Sequence, residues 1–251
     1  MKTGAAADQT ADQSGSTGAG PRVTVDAVSK VVGEVTLLAP VSLVVEPGHC
    51  VVVRGRNGIG KTTLLKVIAG LLEPTTGSVM IGDRRADERD QAIRGRVAAL
   101  LGAPAAYRDL TLADHLTLID ATWGRDAQSC EERVDAALHQ VGIGDLGGRF
   151  PHELSSGQGQ LFRLALTLFR PADLLILDEP EQRLDTQKRR ALAAILSDRR
   201  DAGATLLVAS HDPLLTDAIA DKVLDLGWGE GTPEGAEGHA DEVDDDPAGS
   251  L

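Results

Sequence analysis

Apolar and polar positions along the chain switch between a strand period and a helix period. Short β-branched stretches occupy 23–28 and 41–46, and Glu46-Pro47-Gly48 turns the chain after the second. Cys50–Arg54 is a continuous apolar run, as a strand buried on both faces requires. Residues 61–72 carry a helical pattern that stops before Glu73-Pro74. Further strands are expected at 78–81 and 96–101. From about 111 to 150 the pattern is mostly helical, with few β-branched runs. Buried-strand character returns at 174–177 and at Thr205–Ala209, with a helix at 187–199 between them and a last short strand at 223–226. Strands separated by helices predict an α/β fold with a largely parallel sheet. The stretch 103–168 is too helical for a simple crossover and predicts a helical subdomain.

Composition narrows this reading. A chain of 251 residues holds one or two domains and can bury a core. Its net charge of −13 gives it no electrostatic footprint for a nucleic-acid backbone or an anionic membrane surface, so no nucleic-acid partner is expected. Cys50 and Cys130 fit neither a metal spacing nor a disulfide framework, which favours a reducing compartment. No apolar run reaches 18 residues, and the first 20 lack the apolar centre of a signal peptide. A soluble, cytoplasmic protein is the expectation. Residues 1–20 read as a disordered leader, 21–228 as the folded core and 229–251 as a disordered acidic tail. That tail has eight acidic residues and no Lys or Arg, and it serves either solubility or docking on a basic surface.

Candidate chemistry begins at Gly55-Arg56-Asn57-Gly58-Ile59-Gly60-Lys61-Thr62, which matches G-x-x-x-x-G-K-[ST]. The motif follows an expected strand and opens an expected helix, the context it needs. Loop N–H groups and the helix N-terminus together favour a polyphosphate. Glycines let the backbone approach phosphate oxygens without a Cβ in the way. Lys61 can reach the β- and γ-phosphates, Thr62 offers a hydroxyl to Mg²⁺, and Thr63 follows on the same helix. A nucleotide site is expected here.

A second candidate is Leu174-Leu175-Ile176-Leu177-Asp178-Glu179, four apolar positions ending in two carboxylates. Such a strand delivers Asp178 to the C-terminal edge of the sheet, where α/β folds bind ligands. Alone, this ending is as readily a helix N-cap. Beside a phosphate loop, Asp178 would hold Mg²⁺, and Glu179 could orient and deprotonate the attacking water.

Leu154-Ser155-Ser156-Gly157-Gln158 resembles the signature of ATP-binding cassette (ABC) ATPases, and Gln158 lies 20 residues before Asp178. Leu184-Asp185 resembles that family's D-loop, and His211 resembles its switch histidine. The resemblance covers 23–228. It implies a P-loop NTPase fold with a mainly parallel sheet, an N-terminal antiparallel β region and a helical subdomain. It also implies the ATP-binding and ATP-hydrolysing subunit of a membrane transporter, with ATP and Mg²⁺ as ligands. Two cassettes, as a homodimer or a heterodimer, would clasp ATP head to tail between one phosphate loop and the other signature. A separate transmembrane subunit would then hold the chain at the cytoplasmic face of the cell membrane. Glu179 and His211 would be catalytic, and Ser155 and Gly157 would reach the γ-phosphate across the interface. The remaining histidines, His49, His115, His139, His152 and His239, have no such context and read as structural or solvated.

The chain departs from the family pattern in several places. Spacing to Pro104 and Asp109-Leu110-Thr111 puts Gly102 where the family has a Mg²⁺-contacting glutamine. Val32 stands where an aromatic usually stacks on adenine, and Ser156 replaces the first signature glycine. Glu181-Gln182-Arg183 before Leu184-Asp185 is an unusual D-loop, read as charge presented to a dimer partner. The hydrolytic pair is intact, so an active ATPase is expected whose rate these departures can lower. The alternatives are a nucleotide-gated assembly module of the same fold, or a weakly active cassette paired with a different one. The short acidic segment after the last strand favours an exporter-type or similar small system.

Overall fold

The computed structural model describes residues 19–102 and 106–227. The expected leader up to residue 18, Ala103, Pro104, Trp228 and the acidic tail lie outside the described residues. In the first half come β1 (Val23–Val32), β2 (Val35–Val45), β3 (Cys50–Arg54), α1 (Lys61–Ile68), β4 (Thr76–Ile81), β5 (Arg84–Arg85), α2 (Gln91–Arg96) and β6 (Val97–Leu100). Helices α3 (Leu112–Thr122), α4 (Cys130–Gln140) and α5 (Ser156–Leu168) follow. The chain then runs through β7 (Leu174–Asp178), α6 (Thr186–Asp201), β8 (Thr205–Ala209), α7 (Pro213–Ile219) and β9 (Lys222–Asp225).

Two sheets result. The central one has strand order β6-β7-β8-β3-β9 and every pairing in it is parallel. The other, β2-β1-β4-β5, is antiparallel. The continuous apolar runs of the central strands now have a cause. Successive side chains point to opposite faces, and both faces are covered. Cys50, Val52, Leu175, Leu177, Leu206 and Val208 pack with α5 and α6 on one side. Val51, Val53, Leu174, Ile176, Leu207 and Ala209 pack with α1 and the antiparallel sheet on the other. This arrangement brings the segments after β3, β6, β7 and β8 to one edge of the sheet.

Helix α3 is tied to α4 by Asp120, whose side chain is 2% exposed. It accepts from Arg133 Nε at 3.0 Å and Arg125 Nη1 at 3.2 Å, and these bonds hold its pKa below the ordinary carboxylate value. His115 is buried on the same helix between Tyr107 and Phe162, and its Nε2 lies 3.0 Å from the Tyr107 amide. Of the two readings its sequence context left open, structural or solvated, burial excludes the second.

Several boundaries differ from the sequence expectation. Strands β1 and β2 are longer than expected and form one hairpin turning at Gly33-Glu34. Its tip, residues 31–37, is exposed throughout, and the register around it is irregular, so no alternation marks it in the sequence. Helix α1 ends at Ile68, not 72. Gly70, at φ +75°, lets its own N–H bond Val67 O and that of Leu71 bond Lys66 O, closing the helix end with a left-handed cap. Arg96 ends α2 and does not begin a strand, and α2 and α7 are short helices the pattern did not reveal.

Candidate nucleotide-binding site

The loop between β3 and α1 is shaped by its glycines. Gly60 caps α1 at φ +110°, and a Cβ there would sit 2.6 Å from Leu37 O. Gly55 is at φ +143°, where a Cβ would meet Leu226 O at 2.8 Å. Only glycine fits either position. Gly58 is also left-handed, at φ +80°, but faces open space. Lys61 is 6% exposed, and its Nζ donates to Gly55 O at 2.7 Å. The ammonium is thus held across the loop by the carbonyl that begins it.

At this edge of the sheet Thr62 meets Asp178. The Thr62 hydroxyl donates to Asp178 Oδ2 at 2.6 Å, joining residues that are distant in sequence. Glu179 adopts φ +45°, a strained value for a non-glycine residue, and its N–H donates to Ala209 O at 2.8 Å. Gln182 Nε2 donates to Glu179 Oε2. Asn57, Gly58, Lys61, Thr62, Asp178 and Glu179 line one cleft of about 650 Å³. The sequence-derived phosphate loop and acidic pair therefore meet in a single site. Gly102 lines the same cleft, in accord with the spacing that placed it there.

Thr62 and Asp178 offer a hydroxyl and a carboxylate, hard oxygen donors suited to Mg²⁺. Among the described residues there is no cluster of three or more His, Cys, Asp or Glu that could bind a metal.

Other expected residues lie elsewhere. Ser155 caps α5, accepting from Gln158 N at 3.3 Å, while Gln158 Oε1 accepts from Ser155 N at 2.9 Å. Ser155 and Ser156 are exposed, Gly157 and Gln158 are half-buried, and none of them, nor Leu154, lines the cleft. His211 follows Ser210 at the end of β8 and is exposed, also outside the cleft lining. Asp185 caps α6, accepting from Lys188 N at 2.9 Å, which lowers its pKa. Val32 stands near the hairpin tip, 55% exposed. Arg56 and Ile59 belong to the loop without lining the cleft, while Thr63 lines it.

The structure revises the reading of the D-loop. Glu181 is not presented to a partner. It is 8% exposed, its Oε1 accepts from Ser210 Oγ at 2.5 Å, and burial raises its pKa against that bond. Gln182 and Arg183 line the chain's own cleft. The sequence reading also missed Leu37 and Arg163, which line it too. Leu37 was hidden by the irregular hairpin. The signal for Arg163 was its i, i+3 spacing from Gln160 on α5, with Arg163 Nη1 donating to Gln160 Oε1 at 3.1 Å.

Residues 38–182 match the family model described as ABC transporter. The chain is 33% identical over 208 residues to the Fe(3+) ions import ATP-binding protein FbpC of Brucella melitensis, covering 80% of this chain and 57% of that protein. It is 33% identical to the maltose/maltodextrin import ATP-binding protein MalK of Vibrio parahaemolyticus, covering 82% and 56%. The chain thus spans little more than half the length of these curated relatives. Both are named as importers, where the sequence reading favoured an exporter-type system.

Among solved structures, an ATP-binding subunit of an ABC transporter superposes with a TM-score of 0.73 at 28% identity, covering 81% of this chain and 85% of that one. The dimeric post-hydrolysis cassette MJ0796 bound to ADP and Pi shares the fold, with a TM-score of 0.74 at 22% identity and coverage of 81% and 94%. The P-loop cassette fold expected from the sequence is the fold observed, and the chain belongs to the ABC transporter family.

Proposed function

We propose that this chain binds ATP with Mg²⁺ and hydrolyses it, and that it powers a membrane transporter as a head-to-tail dimer of cassettes. The observation that carries this reading is the convergence of Lys61, Thr62, Asp178 and Glu179 on one cleft. Lys61 and the loop N–H groups would bind the β- and γ-phosphates. Thr62 and Asp178 would hold Mg²⁺, whose charge offsets that of the phosphate oxygens when bound. Glu179 would take the proton of the attacking water, with its carboxylate steadied by Gln182. His211 would contact the γ-phosphate from the same chain, and Ser155 and Gly157 would reach it from the partner. The exposure of Ser155 and Ser156 supports a role toward a second cassette.

Among the described residues no helix is long and apolar enough to cross a membrane. Transport would therefore use a separate transmembrane subunit, with this chain docked at the cytoplasmic face. A second reading, a nucleotide-gated assembly module, is favoured by Gly102, which offers no side chain to link nucleotide state to a membrane partner.

The test is Glu179→Gln, which keeps the shape of the side chain but cannot take up a proton. With ATP and Mg²⁺ this variant is expected to elute as a stable dimer in size-exclusion chromatography, while wild type remains mostly monomeric. A monomer at saturating ATP would contradict self-association and point to a different cassette as partner.

A further inference from the structure

Gly102 leaves a gap in the wall of the cleft. It sits at φ +68°, and among the described residues no atom lies within 4 Å of where its Cβ would be. Arg163 of α5 reaches the same place, donating Nη2 to Gly102 O. Its direction is fixed from below. Gln160, 3% exposed, donates to Pro180 O at 2.9 Å and accepts from Arg163 Nη1. Pro180 directly follows Glu179, so the acidic segment itself aims the guanidinium.

The electrostatics of this corner are unusual. Arg163 Nε is buried and has no hydrogen-bond partner among the described residues. Burial disfavours its charge, the neighbouring Arg183 adds to that, and Asp178 opposes it. A guanidinium presents five N–H donors in a rigid fork. Two are assigned here, Nε is buried without a partner among the described residues, and Arg163 lines a cleft that Lys61 and a second arginine also line. Two neighbouring cations with spare donors are stabilised by an anion carrying several oxygens.

We propose that Arg163 binds the terminal phosphate of ATP within its own chain, using the space opened by Gly102, and so makes the site select triphosphate over diphosphate. This rests on the nucleotide-binding reading above, and it adds a phosphate-contacting residue that the phosphate-loop and signature motifs do not include. Arg163 exchanges its bond to Gly102 O for phosphate oxygens, while Gln160 keeps the fork oriented.

The test is isothermal titration of the full chain with ATP and with ADP, both with Mg²⁺, for wild type, Arg163→Ala and Arg163→Lys. A lost charged hydrogen bond predicts about tenfold weaker ATP binding for Arg163→Ala, with ADP binding changed by less than about twofold. Arg163→Lys keeps the charge without the fork, so it is expected to recover part of the ATP affinity. Equal losses for ATP and ADP, or no change in either, would overturn the proposal. Should Arg163→Ala fail to fold by circular dichroism, Arg163→Lys carries the comparison through the same ATP-to-ADP ratio. Wild type binding neither nucleotide would defeat the underlying reading. An unchanged ratio with wild-type binding intact would defeat only the role of Arg163.

Discussion

Gly60→Ala, compared with Gly58→Ala, separates two costs built into the phosphate loop. Both residues have positive φ, +110° and +80°, so each alanine carries the penalty of a conformation that L side chains rarely adopt. That penalty is about 1–3 kcal/mol. Only at Gly60 does the new Cβ also strike backbone, at 2.6 Å from Leu37 O, with Leu38 Cδ1 a further 3.0 Å neighbour. Leu37 and Leu38 belong to a strand of the antiparallel sheet and cannot move aside freely, so overpacking adds about another 1–3 kcal/mol. Gly58→Ala meets nothing within 4 Å. Urea denaturation of the nucleotide-free protein is expected to show Gly60→Ala less stable than Gly58→Ala by about 1–3 kcal/mol. ATP binding should suffer in both, because Gly58 lines the cleft. Equal urea midpoints for the two variants would refute the claim that the hairpin sterically fixes the loop.

Two further outcomes follow from buried groups away from the cleft. Asp120 has its pKa lowered by Arg133, so its stabilising effect is complete above the unfolded value near ~3.9 and is lost as pH falls through the lower folded value. The difference in urea midpoint between wild type and Asp120→Asn should hold steady from neutral pH to about pH 5 and shrink below about pH 4; a constant difference throughout would contradict the role given to that ion pair. Cys50 is buried with its thiol pushed up to about 12, so iodoacetamide at mildly alkaline pH should label it only in denaturant; rapid labelling of the native protein would contradict its burial.

What could be read from the sequence follows from how local each signal is. The phosphate loop and the Asp178-Glu179 ending were legible because their chemistry needs particular residues at fixed spacing, and burial on both faces makes the adjoining strands continuously apolar. The tip of the first hairpin, residues 31–37, was not legible, because exposure of every side chain there removes the alternation that marks a strand. Arg163 was missed because its i, i+3 spacing from Gln160 does not reveal what the pair faces, and its contact with Gly102 is made only through tertiary structure. Glu181 was misread for the opposite reason. Its charge suggested a surface, whereas Ser210 gives it a buried partner.

The proposed function stands or falls on ATP binding by the loop ending in Lys61 and Thr62. Lys61 is a side-chain cation held across that loop, with Nζ 2.7 Å from Gly55 O, and its loss would remove the charge proposed to bind the β- and γ-phosphates. Isothermal titration with ATP and Mg²⁺ is therefore expected to give saturable binding to wild type and none measurable to a folded Lys61→Ala variant. Wild-type affinity in that variant would contradict the account.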